Sequence, residues 1–239
     1  MDEAVGSDDR SDDQVPDEST KKPMPLWQET ILLLGLALVL AIIIKSLFVQ
    51  AFYIPSPSME PQFVKNDRIL VQKVSYWGGG SPSRGDIVVF KDPGGWLSQA
   101  EAGPPHSPLT RVMEKIGLYP TGGHLVKRVI GVGGDRVVCC DATGHVTVNG
   151  RALDEKTYLP AGTEPSQTKF DRSVPKGHLW MMGDNRGFSC DSRCHMGGPG
   201  GGYVDQALVV GKVFSLIWPW KRAEIVNRPK TFEGLPEAR

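Results

Sequence analysis

Long apolar runs are scarce in this chain. There is one, and it ends before residue 50. No second stretch approaches the ~20 apolar residues a bilayer-crossing helix needs, which excludes a multi-pass α-helical membrane protein. Cysteine is scarce too. Cys139-Cys140 and Cys190-x-x-x-Cys194 lack the two-residue gap of a zinc knuckle, and no second pair completes a site. No metal or other cofactor is therefore expected. Net charge is absent, with 27 basic residues against 27 acidic ones. Nothing draws the chain as a whole to nucleic acid, so no nucleic-acid partner is expected. Internal repeats are absent, which excludes a repeat array. Of the five histidines, His106, His124, His145, His178 and His195, none stands in a recognisable nucleophile–base–acid context. They read as surface or structural residues.

What is present begins with an uneven distribution of charge. Residues 1–26 hold eight acidic residues against Arg10, Lys21 and Lys22, a net of −5 that leaves +5 on the rest. Residues 1–25 are polar and poor in aromatics, and are expected to be a disordered tail. A long acidic lead is unlike the short basic n-region of a signal peptide. Residues 31–44 are apolar without interruption apart from Gly35, and Leu47, Phe48 and Val49 extend the run. A transmembrane helix over 26–49 is the expectation, with Trp27 at one interface and Lys45 able to snorkel to the other. Lys21 and Lys22 favour a cytoplasmic N-terminus. No small-x-small pattern follows, so the helix is expected to stay as an anchor.

Next comes Ile54-Pro55-Ser56-Pro57-Ser58-Met59-Glu60-Pro61. Each proline fixes its own φ and steers the residue before it away from the helix. Ser58 thus sits on a stiff backbone, suited either to a linker or to a pre-positioned nucleophile. Beyond it, glycine (28) and proline (19) favour short strands and turns. Strands are expected over 68–75, 86–90, 124–130, 179–182 and 207–217, with a hairpin over 136–149. Residues 92–123 read as a polar insertion carrying a short amphipathic helix near 107–117, residues 151–176 as irregular, and 226–239 as a polar tail. The whole is a mostly antiparallel β-domain, 50–225, behind a single helix.

A serine needs a proton acceptor, and Lys127 is the candidate. On an extended strand it shares a face with Leu125 and Val129. Burial on that face disfavours the ammonium and lets the neutral amine act as a general base. The bland alternative is a lysine at a sheet edge with its head in water. A third cluster, residues 183–193 (GDNRGFSCDSR), packs acids, arginines, serines and an amide into one loop. Such a loop must satisfy itself through Asp–Arg pairs. If the domain is extracytoplasmic, one or two disulfides are expected, with three connectivities open. Cys139 and Cys140 point to opposite faces if both lie on a strand, so they need not share a partner.

These pieces, PSPSM after an apolar helix, Arg84-Gly85-Asp86, KRVIGVGGD over 127–135 and the 183–193 string, stand in an order that resembles bacterial type I signal peptidases. The motifs cover about a fifth of the chain and bracket its whole folded part. The resemblance implies a membrane-anchored serine endopeptidase of mostly β fold with a Ser–Lys dyad. It implies Ser58 as nucleophile and Lys127 as general base. Ser56 would help bind the oxyanion beside the Ser58 N–H, and Ser189 would orient the lysine. Asp184, Asp191, Arg193 and Arg128 would support them. Secretory preproteins with cleavable signal peptides and the phospholipid membrane are the implied partners. The implied place is the cell membrane, with the catalytic domain extracytoplasmic. Gly133 stands where that family usually has proline, which predicts a looser turn. Phe52, Tyr53, Ile54, Trp218 and Trp220 are candidates for an apolar surface resting on the bilayer. A self-cleaving Ser–Lys regulatory protease and a non-catalytic tethered β-domain remain open on the residues alone.

Overall fold

The structure, a computed structural model, describes residues 25–97 and 123–237, and only the backbone at Lys45 and Ser46. The amphipathic helix expected near 107–117 lies outside them. The chain divides into a unit ending at Leu40 and a unit from Ala41 onward. Helix α1 spans Leu26–Phe48. Its segment Leu26–Ile44 is long and apolar enough to cross a membrane and is not buried in protein. It ends where Val49-Gln50-Ala51-Phe52-Tyr53 changes to alternation with aromatic and branched residues. These residues form a strand that is not among those expected from the sequence, and the helix expected over 26–49 takes in Val49.

The strands are β1 (Val49–Tyr53), β2 (Arg68–Gln72), β3 (Ile87–Lys91), β4 (His124–Val132), β5 (Arg136–Cys139) and β6 (Thr147–Val148). They continue with β7 (Arg151–Ala152), β8 (Phe170–Ser173), β9 (His178–Met182), β10 (Val204–Asp205), β11 (Val209–Trp218) and β12 (Glu224–Ile225). The larger sheet runs β1-β2-β11-β3-β4-β9-β10, with β12 paired to β11. The smaller runs β7-β6-β5-β8. The strand pairs in both are antiparallel.

Alternation sends successive side chains into different cores. Ile87 and Val89 join Phe52, Met59 and Val213 in one cluster, while Val88 and Phe90 join Leu125, Val129 and Met181 in another. A third cluster fills the small sheet around Val137, Leu153, Phe170 and Trp180. Strand β4 is central, and its residues 125–131 are buried on both faces. That position, rather than a sheet edge, is where Lys127 stands.

Four expectations change. Residues 151–176 are not wholly irregular, since they hold β7, β8 and a tight turn at Glu155–Thr157. Residues 226–237, read as a polar tail, bury Val226, Phe232 and Leu235. Gly133 makes no loose turn: an added Cβ would meet the Lys176 Cα at 2.9 Å, so the glycine permits close packing. Cys139 bonds to Cys140, and Cys190 to Cys194. Strand alternation does not separate the first pair, because β5 ends at Cys139.

Candidate active site

Ser58 sits just past β1, where the prolines turn the chain into a tight loop. The loop is closed by Glu60 N–H donating to Pro57 O and Phe63 N–H to Met59 O. Met59 is buried and pins it to the core. Ser58 is 6% exposed and Lys127 3%. Lys127 Nζ donates to Ser58 Oγ at 2.7 Å. Ser56 Oγ lies 3.2 Å from Ser58 Oγ. A serine hydroxyl, a buried amine and a second hydroxyl therefore converge at one point.

The 183–193 loop closes over them. Asn185 N–H donates to Ser58 O at 3.0 Å, and Asn185 Nδ2 to Pro57 O at 3.2 Å. Gly183 is the point of closest approach, since a Cβ there would collide with Ser189 and with the Ser58 carbonyl. Ser189 Oγ is buried beside it, close to the Asp191 carboxylate, and makes no hydrogen bond of normal geometry among the described residues. The acids and arginines of this loop pair as its density requires. Asp191 accepts from Arg193 Nε at 2.9 Å and Nη2 at 2.8 Å, and from Gly183 N–H at 2.9 Å. Burial pushes the Asp191 carboxyl up, but the Arg193 guanidinium, with the Gly183 N–H and Ser189, holds it below the usual range. Arg128 holds Asp184 through two bonds at 2.8 and 2.6 Å and donates to Gly85 O at 3.0 Å. Burial works against the Arg128 charge, yet the Asp184 carboxylate raises its pKa.

The two other motifs also meet. Arg84 of the Arg84-Gly85-Asp86 turn pairs with Asp135 at 2.5 Å, and Asp86 takes both Lys212 and Arg228 at 2.8 Å. These pairs brace the ends of β3 and β4, the strands that frame Lys127.

Sequence reading missed two residues of the site's support. Glu155 and Tyr158, from the stretch read as irregular, are buried against Arg186. A lone carboxylate in a polar stretch carries no signal of burial. As for ions, donor atoms of Cys190, Cys194 and His195 lie within 4.8 Å of one another, but the two sulfurs are joined as a disulfide.

The model of the family described as signal peptidase, peptidase S26, matches residues 27–218. A signal peptidase I of Mycobacterium tuberculosis is 35% identical over 98% of this chain and 87% of its own length. A probable signal peptidase I-2 of Synechocystis is 32% identical over 89% of this chain and 84% of its own. The match runs through the helix, the Ser58 loop and the 183–193 loop alike. The chain belongs to the signal peptidase family, peptidase S26, and is a serine endopeptidase.

Proposed function

We propose that this chain removes signal peptides from secretory preproteins, with Ser58 as nucleophile and Lys127 as general base. The observation that carries it is the buried 2.7 Å contact between Lys127 Nζ and Ser58 Oγ. Burial favours the neutral amine. Neutral Lys127 takes the Ser58 proton as Oγ attacks the scissile carbonyl, and the protonated lysine then delivers it to the leaving amine. Water, activated by the same lysine, hydrolyses the acyl-enzyme. Ser56 Oγ and the Ser58 N–H receive the oxyanion. Ser189, buried beside Gly183, is the hydroxyl that the family resemblance assigns to orienting the amine, and Arg128, Asp184, Asp191 and Arg193 keep the loop that carries it in place.

The substrate class follows from the family and from the space beside Ser58. A cavity lined by Ile54, Met59, Leu125 and Val126 among others has about 10 Å³ of room, on the order of a single water. Short side chains such as those at −3 and −1 of a signal peptide suit so small and largely apolar a pocket beside Ser58. Helix α1 serves as the membrane anchor, with the N-terminus cytoplasmic and residues 50–225 extracytoplasmic at the cell membrane. Tyr53, Trp218 and Trp220 are exposed, whereas Phe52 and Ile54 are buried core residues and drop out of the apolar surface expected from sequence. These three exposed rings are available to a phospholipid interface.

The test is a preprotein with alanine at −1, cleaved by the full chain in detergent or liposomes. Changing that alanine to phenylalanine should abolish cleavage at the bond; equal cleavage of both would rule out the small-residue site.

A further inference from the structure

Behind the 183–193 loop lies a set of buried charges that the proposed chemistry does not use. Glu155 is 3% exposed. Its carboxylate accepts from Arg186 Nη2 at 2.5 Å, from Nη1 at 3.3 Å and from the Tyr158 hydroxyl at 2.6 Å. The turn that presents it is held on both sides. Asp154 caps it, Leu159 N–H donates back to Glu155 O at 3.0 Å, and Leu153, Tyr158 and Leu159 are buried in the small sheet's core.

Arg186 passes this constraint to the loop. Its Nε donates to Gly183 O at 3.0 Å, and its own carbonyl accepts from Arg193 Nη2 at 3.1 Å. Nη1 also donates to Pro165 O at 2.6 Å. Gly183 is the residue whose backbone lies hard against Ser189 and the Ser58 carbonyl. On the other side, the Tyr158 ring stacks under the Arg128 guanidinium at 4.5 Å, and Arg128 holds Asp184. One turn of the small sheet therefore touches both arginines that frame Gly183 and Asp184.

We propose that Glu155 is a positioning residue for the catalytic loop: through Arg186 it sets the placement of Gly183, and with it the alignment of Ser58, Ser189 and Lys127. It touches none of the reacting groups. The inference rests on the reading of Ser58 and Lys127 as the reacting pair. It deepens that reading by making the small sheet part of the alignment of the site. A displaced loop costs rate rather than substrate affinity, because a misplacement of about 1 Å is worth ~100-fold in the chemical step.

The experiment compares wild type, Glu155→Gln, Arg186→Gln and the double variant in the full chain, with kcat expressed per folded enzyme. Glu155→Gln should lower kcat by roughly 10- to 100-fold with KM within about 2-fold. The double variant should be no slower than Arg186→Gln alone, since both act along one path. Wild-type kcat in folded Glu155→Gln would overturn the proposal, and so would losses that multiply in the double variant. Should Glu155→Gln fail to fold, Glu155→Leu with Arg186→Met removes both charges and leaves neither unpaired. Low kcat in that folded pair supports the proposal and normal kcat overturns it. Ser58→Ala is run alongside: if it cleaves normally, the underlying reading of the dyad has failed, whatever Glu155 does.

Discussion

Lys127 Nζ and Ser58 Oγ are bonded at 2.7 Å although 69 positions separate them in the chain. Two elements make the contact. Central strand β4 brings the lysine in under cover on both faces, and the proline-stiffened loop after β1 holds the serine still. The two side chains are thus held together before any substrate arrives, the arrangement by which position alone can lower a barrier.

Ser56 lies within hydrogen-bond reach of Ser58. Its hydroxyl is 3.2 Å from Ser58 Oγ and half-buried. An oxyanion donor of this kind is worth ~2.7–4 kcal/mol. Ser56→Ala should therefore lower kcat by roughly 100- to 1,000-fold while leaving measurable cleavage and an unchanged product. A variant with full kcat would remove Ser56 from the oxyanion site.

Gly183→Ala is the smallest change that should displace the loop. The new methyl would meet Ser189 and the Ser58 carbonyl, and the carbonyl belongs to backbone that cannot swing aside. Preprotein cleavage should fall by about 100-fold in protein whose circular dichroism spectrum is native. Normal turnover would show that the loop's close approach does not matter to the chemistry.

Asp191 gives a pH dependence with a definite sign. Its carboxyl is held below the usual range by Arg193 in the folded state. The stability it contributes is present above the unfolded pKa of ~3.9 and is lost as pH falls through the lower folded value. Asp191→Asn leaves Arg193 buried without its partner, at a cost of about 3–5 kcal/mol near neutral pH. In urea titrations the gap between wild type and variant should narrow as pH drops below 4. A gap that stays constant or widens on acidification would contradict the assignment.

Trp218 and Trp220 stack edge to face and stay exposed, Trp220 at 76%. A soluble form lacking α1, with both changed to serine, should bind liposomes several-fold more weakly in flotation assays than the same form with its tryptophans. Equal binding would leave these rings without a membrane role.

Much of this site is legible in the sequence because its parts are local strings with distinct chemistry. Ser58 among prolines, Lys127 among branched residues and the dense 183–193 loop each look unusual alone. What the string cannot carry is burial that arises only on packing. Glu155 looks like any acid in a polar stretch until Arg186 reaches it across 31 positions. Strand β1 was hidden because its apolar residues run straight on from the helix, so period 3.6 shades into period 2 without a break. Strand β8 shows a single large apolar residue, Phe170, too few to register as alternation. The buried Phe232 and Leu235 lie among charged neighbours and glycine, and only the small sheet's need for a cover explains them.

Cleavage of a preprotein by wild type, Ser58→Ala and Lys127→Ala, each purified as the full chain and confirmed folded, tests the Ser–Lys pairing most directly. Wild type should release the mature protein with a base-dependent rate that falls as pH drops, and both variants should lose nearly all activity. Normal cleavage by either variant, or a wild-type rate that stays flat down to pH 5, would contradict it.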